Sequence, residues 1–201
     1  NHLLKSINLL INAKIIHLDL KGQNIVFDTK RATPIIIDFG LSVPLYKNIE
    51  LSNFFYIYEP GYYIWPIEVH YINLLLHHEE EPVDRDLKDL ADRYVKANAA
   101  LYPFSVGFKK KYTELIFKTL KKYNDTDKEY INDKIIKESW KTWDNYSLSI
   151  IYLKFINFIG HTQDNEMLNN NLINFFVKLT LQNIHPDYTK RLTIAETQRQ
   201  F

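Results

Sequence analysis

Polar side chains of the kinds that bind metal ions and phosphate lie close together near the start of the chain. The stretch "HLDLKGQN" contains His17, Asp19, Lys21 and Asn24, and Asp38 follows a later apolar run. Carboxylate, carboxamide and ammonium groups are unfavourable in a hydrophobic core, because each loses hydration on burial. Magnesium prefers oxygen ligands and usually combines one or two protein groups with phosphate and water. These residue types therefore indicate a site for a metal ion and a phosphate.

The elements predicted around these residues bring them together. The apolar runs that follow Asn24 and precede Asp38 are typical of two short strands, and the polar sequence between them is typical of a turn. A hairpin of this kind places Asn24 close to Asp38, where the two could hold magnesium. Lys21 can reach the same phosphate, and Asp19 remains as a base for an attacking hydroxyl. This set of groups fits phosphoryl transfer.

The rest of the chain is predicted to be mainly helical, with a few very short strands. The spacing of apolar residues predicts an amphipathic helix over 2–13, and Ile15 and Ile16 predict a short strand. Residues 41–64 show no clear period and are predicted to form a long loop, and loops of this length in compact domains are usually functional or disordered. The segment 145–159 is apolar on every face, which predicts a buried central helix.

Residues 77–142 differ in character from the rest of the chain. Acidic residues come first and basic residues later, and two amphipathic helical patterns run through the segment. It is predicted to be a helical, charged insertion whose apolar faces pack against the rest of the chain or against a partner. Runs of lysine usually mark a solvated helix face, and a partner-binding surface is the alternative interpretation.

Composition narrows the class of protein. The chain has 201 residues, of which 46% are hydrophobic, and this is enough for one domain with a real core. The formal net charge of +1 favours neither a nucleic-acid nor a membrane partner. The absence of cysteine excludes disulfides and thiolate metal sites and favours a cytoplasmic location. No apolar run approaches the roughly 18 residues of a membrane helix.

The polar segment and several later motifs resemble the C-terminal lobe of protein kinases. "HLDLKGQN" is similar to the catalytic loop H-R-D-L-x-x-x-N, and "DFG" at 38–40 matches the family motif. "WPIE" resembles the A-P-E element, "WDNYSLS" resembles the start of the central helix, and "HPDYTKRLT" resembles a late segment with a buried arginine. A similar "WP-x-E" form occurs in kinases of large DNA viruses, so a host cytoplasm or virion would be the setting.

The resemblance implies a domain organisation and a function. Residues 1–76 and 143–201 would form the kinase C-terminal lobe, residues 77–142 would be inserted in it, and an N-terminal lobe is expected upstream. The implied activity is transfer of the ATP γ-phosphate to serine or threonine hydroxyls of a protein substrate, with Mg²⁺ as cofactor. Residues 1–201 alone are expected to be nearly inactive.

The resemblance also implies roles for individual residues in the reaction. Asp19 is the catalytic base, Lys21 steadies the transferred phosphate, and Asn24 and Asp38 bind magnesium. Val26 lies under the adenine ring of ATP. Lys21 favours the serine/threonine branch of the family, because tyrosine kinases usually differ at that position.

The other matched residues are implied to be structural: His17, Phe39, Gly40, Glu68, Asp144 and Arg191. His17 and Phe39 would stack in the spine that links the active site to the central helix. Asp144 would accept hydrogen bonds from the backbone near His17. Glu68 would form a buried ion pair with Arg191.

The sequence departs from the family pattern at several positions, and alternative functions stay open. Leu18 replaces the usual arginine, which argues against switching by a phosphate on the activation loop, and the threonine expected upstream of "WPIE" is not evident. A small-molecule phosphotransferase of the aminoglycoside or choline type shares part of the motif set. A pseudokinase scaffold is the third hypothesis, and retention of Asp19, Lys21, Asn24 and Asp38 argues against it.

Overall fold

The computed structural model describes residues 2–46, 50–78, 80–126, 128–162 and 170–200 of the protein. The chain is mainly helical, at 63%, with a few short antiparallel strands, so the predicted structural class is confirmed. The helices are α1 (His2–Asn12), α2 (Ile67–His77), α3 (Asp84–Ala97), α4 (Val106–Asn124), α5 (Lys128–Ser139), α6 (Trp143–Thr162), α7 (Asn171–Asn183) and α8 (Ile194–Gln200). The strands are β1 (Ile15–Ile16), β2 (Ile25–Asp28), β3 (Thr33–Ile36) and β4 (Val43–Pro44).

The strands form two small antiparallel pairs. β2 pairs with β3 in the predicted hairpin, with Ile25 opposite Ile36. β1 pairs with β4, which the sequence did not predict, because two residues inside an aperiodic loop carry no alternation to recognise. The β1–β4 pair ties the loop after β3 to the segment immediately before His17, so both halves of the polar site are held to one another.

The main core joins helices from both sides of the charged segment. Among its fully buried large side chains are Tyr71 of α2, Tyr94 of α3 and Trp143 of α6. The Tyr94 hydroxyl donates a hydrogen bond to the backbone oxygen of Trp65 (2.9 Å). Tyr112 of α4 likewise donates to the backbone oxygen just beyond α7. The apolar faces of α3 and α4 are therefore covered by the chain itself, and its division into a lobe and an insertion stays a prediction.

A second, smaller core lies beneath the polar site. It contains buried side chains from α1, the segment after β1, β3, α6 and α8: Leu4, Ile7, Leu20, Ile36, Leu148 and Ile194. Leu20 lies between Asp19 and Lys21 in sequence and is fully buried, because side chains of an extended segment alternate in direction. This alternation leaves the polar neighbours of Leu20 facing the site.

The prediction that 145–159 forms a fully buried helix is correct only for its first half. Residues of α6 up to Ile150, and then Leu153, are largely buried, whereas Phe155 and Phe158 are 58% and 64% exposed. A helix of this length spans about 30 Å, which is the diameter of a small domain. The C-terminal half of α6 therefore extends past the main core, and α7 packs beside it, with Tyr152 and Phe176 in edge contact.

No helix in the described part of the chain has both the length and the apolar composition needed to cross a lipid bilayer.

His70 of α2 is an ionisable side chain enclosed in the main core. Its Nε2 donates to the backbone oxygen of Tyr62 (3.1 Å), and its ring contacts those of Trp65 and Tyr94. Within the described residues, its Nδ1 has no hydrogen-bond partner. Burial lowers the pKa of His70 to about 4, because the apolar surroundings disfavour the charged ring.

This lowered pKa predicts a loss of stability on mild acidification. Below pH 6.5, the ordinary pKa of histidine, His70 binds a proton in the unfolded chain. In the folded chain the His70 side chain stays neutral down to a pH of about 4. The contribution of neutral His70 to the free energy of unfolding should therefore be greatest above pH 6.5. It should fall by about 3 kcal/mol between pH 6.5 and 4. Urea unfolding at pH 7.5, 6.0 and 5.0 should show a shallower fall for His70→Gln. Identical pH slopes for the two proteins would contradict the prediction.

Candidate functional site

The Asp19 carboxylate is held by the two polar residues that follow it. The Lys21 Nζ donates to Asp19 Oδ2 at 2.9 Å, and the Asn24 Nδ2 donates to the same oxygen at 2.9 Å. Asn24 Nδ2 also donates to the Asp19 backbone oxygen at 2.9 Å, so it fixes both the main chain and the side chain. The Asp19 side chain is only 8% exposed, whereas that of Lys21 is 33% exposed. The loop therefore positions one carboxylate rigidly at the edge of solvent.

Asp144, at the start of α6, anchors the backbone of this loop from beneath. Its two carboxylate oxygens accept the backbone N–H groups of His17 (2.9 Å) and Leu18 (3.1 Å). Leu18 has a φ of 61°, a left-handed conformation that costs a non-glycine residue roughly 1 to 2 kcal/mol. Burial raises the pKa of Asp144, and the two N–H donors oppose part of that rise. Asp144 thus holds the strained turn that presents Asp19.

His17 connects the loop to the segment that leads to Asp38. Its Nδ1 accepts the backbone N–H of Asp19 (3.3 Å), so Nε2 carries the proton and donates to the backbone oxygen of Ile37 (3.1 Å). The ring of Phe39 lies 4.8 Å from that of His17, centre to centre. His17 is fully buried, while Phe39 is half exposed. The two rings are in contact but tilted, with 57° between their planes, so they are not stacked, and their role in a spine stays a prediction.

The hairpin brings Asn24 and Asp38 to the same end of β2 and β3. The backbone N–H of Ile37 donates to the backbone oxygen of Asn24 (2.9 Å), which places Asp38 one residue beyond that contact. Asp38 has a φ of 63° and is exposed, and its Oδ1 accepts the backbone N–H of Gly40 (3.2 Å). A Cβ atom at Gly40 would lie 3.2 Å from the same oxygen, so a larger residue would crowd the carboxylate.

Oxygen atoms suitable for a divalent cation remain open at this end of the hairpin. Asn24 uses its Nδ2 for Asp19, and its Oδ1 accepts no hydrogen bond from the described residues. Asp38 Oδ2 is likewise free among them. No cluster of three or more His, Asp or Glu side chains suited to a metal ion occurs in the described ranges. Two protein oxygens are nevertheless what magnesium commonly takes when phosphate and water complete its shell.

Tyr62 is a member of the site that the sequence did not reveal. Its hydroxyl donates a very short hydrogen bond to Asp19 Oδ1 and accepts one from Lys21 Nζ (3.4 Å). Burial raises the pKa of Tyr62, and its bond to Asp19 raises it further, so the hydroxyl stays protonated at neutral pH. Residues 46–63 contain five tyrosines, and no signal in the sequence distinguishes the one that reaches Asp19.

The residues around the site also include an apolar surface beside Asp38. Val26 on β2 is 41% exposed, and Ile35, its partner on β3 and therefore on the same face, is 39% exposed. Such a cluster leaves room for a flat apolar group to cover it. Val26 is accessible to a ligand, and its implied contact with an adenine ring stays a prediction.

Glu68 and Arg191 form a two-pronged ion pair away from the polar loop. Arg191 donates to Glu68 through both terminal nitrogens, at 2.6 and 2.8 Å, and both side chains are fully buried. Trp143 Nε1 also donates to Glu68 (3.0 Å), and the Arg191 Nε donates to the backbone oxygen of His185. Burial alone would lower the pKa of Arg191, but the Glu68 carboxylate outweighs this and raises it. The ion pair links α2, which follows Tyr62 closely in the sequence, to the segment between α7 and α8.

The geometry supplies the parts of a hydroxyl-activating site. It combines a positioned carboxylate, a lysine beside it, open oxygens for a cation and an exposed apolar surface. Leu18, at the position of the family arginine, is only 3% exposed and brings no charge to the site. Such a site can take a proton from a hydroxyl and neutralise phosphate charge.

Comparison with known proteins gives a partial match to a protein kinase. A stretch of 50 residues is 42% identical to mitogen-activated protein kinase kinase kinase 8 of Rattus norvegicus, and it covers 25% of this chain and 10% of that protein. No protein-family model matches the chain, and no solved structure matches it. These comparisons indicate a relationship to protein kinases over a quarter of the chain.

Proposed function

We propose that the protein contributes the catalytic lobe of a serine/threonine protein kinase, which transfers the γ-phosphate of ATP to a protein hydroxyl. The observation that carries the proposal is the environment of Asp19. Its Oδ2 accepts hydrogen bonds from Lys21 and Asn24, while the hairpin brings Asp38 to the same end of the site. The partial similarity to a kinase supports the same class of reaction.

The hydrogen bonds to Asp19 identify the oxygen that would receive the proton. Each carboxylate oxygen has two acceptor positions. Those of Oδ2 are used by Lys21 and Asn24, and Oδ1 accepts only the Tyr62 hydroxyl among the described residues. One acceptor position on Oδ1 therefore stays open for the hydroxyl of the substrate. Lys21, bound to the other oxygen, would be close enough to stabilise charge on the phosphoryl group.

Asn24 and Asp38 are the residues that would hold Mg²⁺. Asn24 Oδ1 and Asp38 Oδ2, which accept no hydrogen bond from the described residues, provide the hard oxygen ligands that the ion prefers. When bound, Mg²⁺ would neutralise the charge of the nucleotide phosphates. The chain itself contributes position, because phosphoryl transfer depends mainly on alignment and electrostatics. The loop, the hairpin and Asp144 supply that alignment.

The test is transfer of label from γ-labelled ATP by the full-length protein. The acceptors are a peptide library containing serine, threonine and tyrosine, and a parallel panel of aminoglycosides and choline. We expect label on serine and threonine, dependent on added magnesium. Label on a small molecule and on no peptide would support the alternative phosphotransferase and overturn the proposal. Absence of transfer to every acceptor, with ATP bound, would support the scaffold hypothesis.

Replacing Asp38 tests the metal site separately. Asp38→Asn keeps the shape of the side chain but removes a charged ligand, so the apparent affinity for Mg·ATP should fall by at least about tenfold. Asp92→Asn, an exposed position on α3, is the matched control and should leave the affinity unchanged. Titration of nucleotide binding at several magnesium concentrations measures both. Equal Mg·ATP affinity in wild type and Asp38→Asn would exclude Asp38 as a ligand.

A further inference from the structure

A cavity of about 550 Å³ is lined by Lys21 and Tyr62, the two residues whose side chains bond to opposite oxygens of Asp19. Its main lining residues come from the loop after Asp19, the segment before α2, and α6: Lys21, Gln23, Tyr62, Tyr63, Ile151 and Lys154. Lys21 lines the cavity, whereas Asn24, Val26 and Asp38, which are proposed to hold magnesium and nucleotide, do not. The cavity is therefore distinct from the proposed magnesium site and is available to an acceptor.

Two lysines line this cavity, and among the described residues only Lys21 is paired with a carboxylate. Lys21 Nζ is bound to the Asp19 carboxylate at 2.9 Å. Lys154 Nζ donates to the Tyr63 hydroxyl at 3.1 Å and lies 5.5 Å from the centre of the Tyr63 ring. Within the described residues, Lys154 has no carboxylate partner. An ammonium group without a counter-charge at the wall of a cavity favours an anionic ligand.

Tyr63 adds a second donor at the same place. Its hydroxyl oxygen accepts from Lys154, and no described residue accepts the hydroxyl proton. A hydroxyl can donate and accept at once. The Tyr63 O–H and the Lys154 ammonium can therefore both donate to one carboxylate or phosphate. Hydrogen bonds from a charged donor to a charged acceptor are shorter and stronger than neutral ones.

Consecutive residues connect this pair of donors to the reacting position. The Tyr62 hydroxyl bonds to Asp19, and the hydroxyl of the next residue, Tyr63, bonds to Lys154. Because Tyr62, Tyr63 and Lys154 line one cavity, a substrate whose hydroxyl lies at Asp19 can place a neighbouring residue beside Lys154.

We propose that Lys154 and Tyr63 form a subsite for an anionic side chain of the protein substrate, close to the acceptor serine or threonine. This inference rests on the proposed function and adds the substrate class. Aspartate, glutamate or an already phosphorylated residue supplies the required negative charge. A lysine or arginine at the same position is disfavoured by Lys154 and by Lys21.

The experiment uses the full-length protein and peptides that differ at one position. Asp, phosphoserine, Asn or Lys is placed in turn at each of the three positions on either side of the acceptor. We expect kcat/KM for the Asp peptide to exceed that for the Asn peptide about three- to tenfold at one position or more. Comparison of the phosphoserine and Asp peptides shows whether a phosphate is preferred to a carboxylate.

Variants of Lys154 test the residue itself. Lys154→Met should bring the ratio of kcat/KM for the Asp peptide to that for the Asn peptide close to one, and Lys154→Glu should favour the Lys peptide. Lys178→Met, an exposed lysine on α7, is the control and should keep the wild-type ratio.

Binding without ATP separates failure of the subsite from failure of the proposed function. Fluorescence anisotropy with the same labelled peptides should show tighter binding of the anionic peptide, and Lys154→Met should abolish the difference. If the Asp and Asn peptides bind wild type equally, or if Lys154→Met keeps the preference, the subsite is wrong whatever the activity. If the preference is present but no peptide is phosphorylated, the proposed function fails and the anion subsite stands.

Discussion

Asp19→Asn should reduce kcat for peptide phosphorylation by about 100- to 10,000-fold, the usual contribution of a general base. The amide oxygen of the variant can still accept hydrogen bonds from Lys21 and Asn24, so the loop keeps its shape. The amide nitrogen would then occupy the position of Oδ1, where it cannot take a proton from a hydroxyl. Because Asp19 is not among the proposed magnesium ligands, the KM for ATP should stay nearly unchanged.

The measurement compares kcat, nucleotide affinity and melting temperature for three full-length proteins: wild type, Asp19→Asn and Asp92→Asn. The last is the control for the same chemical change at an exposed position. A fall in kcat with unchanged nucleotide affinity and melting temperature is the expected pattern. Wild-type turnover in Asp19→Asn would eliminate Asp19 as the base, and with it the proposed mechanism.

The polar loop and the hairpin could be predicted from sequence because their determinants are local. The residues that follow Asn24 and precede Asp38 carry strand-forming side chains, and Asp28 closes the turn by accepting the backbone N–H groups of Lys30 and Arg31. The roles of Asp144, Glu68 and Arg191 are different. They are far apart in sequence, and only the order of matched motifs suggested the contacts that the structure contains.

Tyr62 and Lys154 could not be found in this way, because their functions depend on packing between distant segments. The Tyr62 side chain reaches Asp19 only because α2 begins a few residues later and is fixed to the core through His70 and Glu68. Lys154 lies in a helix whose sequence predicts burial on every side. Its place at a cavity wall follows from α6 extending past the main core, which periodicity within one helix does not reveal.

Arg191→Ala should lower the free energy of unfolding by about 3 to 5 kcal/mol, because it leaves the buried Glu68 carboxylate without its counter-charge. That loss is a large part of the roughly 5 to 15 kcal/mol that stabilises a typical domain. For a chain of this size it corresponds to a fall in melting temperature of roughly 10 °C. Arg191→Lys keeps the charge but cannot make the paired contacts or the bond to His185, so an intermediate loss is expected.

Arg93→Ala is the matched control for this substitution. Arg93 pairs with Asp89 on the surface of α3 at 3.6 Å, and both side chains are more than half exposed. Exposed pairs of this kind contribute about 0.2 to 1 kcal/mol, so the melting temperature should change little. Thermal and urea unfolding of the variants give the comparison. If Arg191→Ala and Arg93→Ala unfold alike, the Glu68 pair does not stabilise the fold as argued.

A second substitution in Glu68 separates the cost of an unpaired charge from the general loss of packing. In wild type, Glu68→Gln removes the charge that compensates Arg191 and should be strongly destabilising. In the Arg191→Ala background the same change removes an unpaired buried carboxylate, and the neutral amide can still accept from Trp143. The double variant should therefore be at least as stable as Arg191→Ala alone, and the two single losses should not add. Additive losses would show that the two residues stabilise the protein independently.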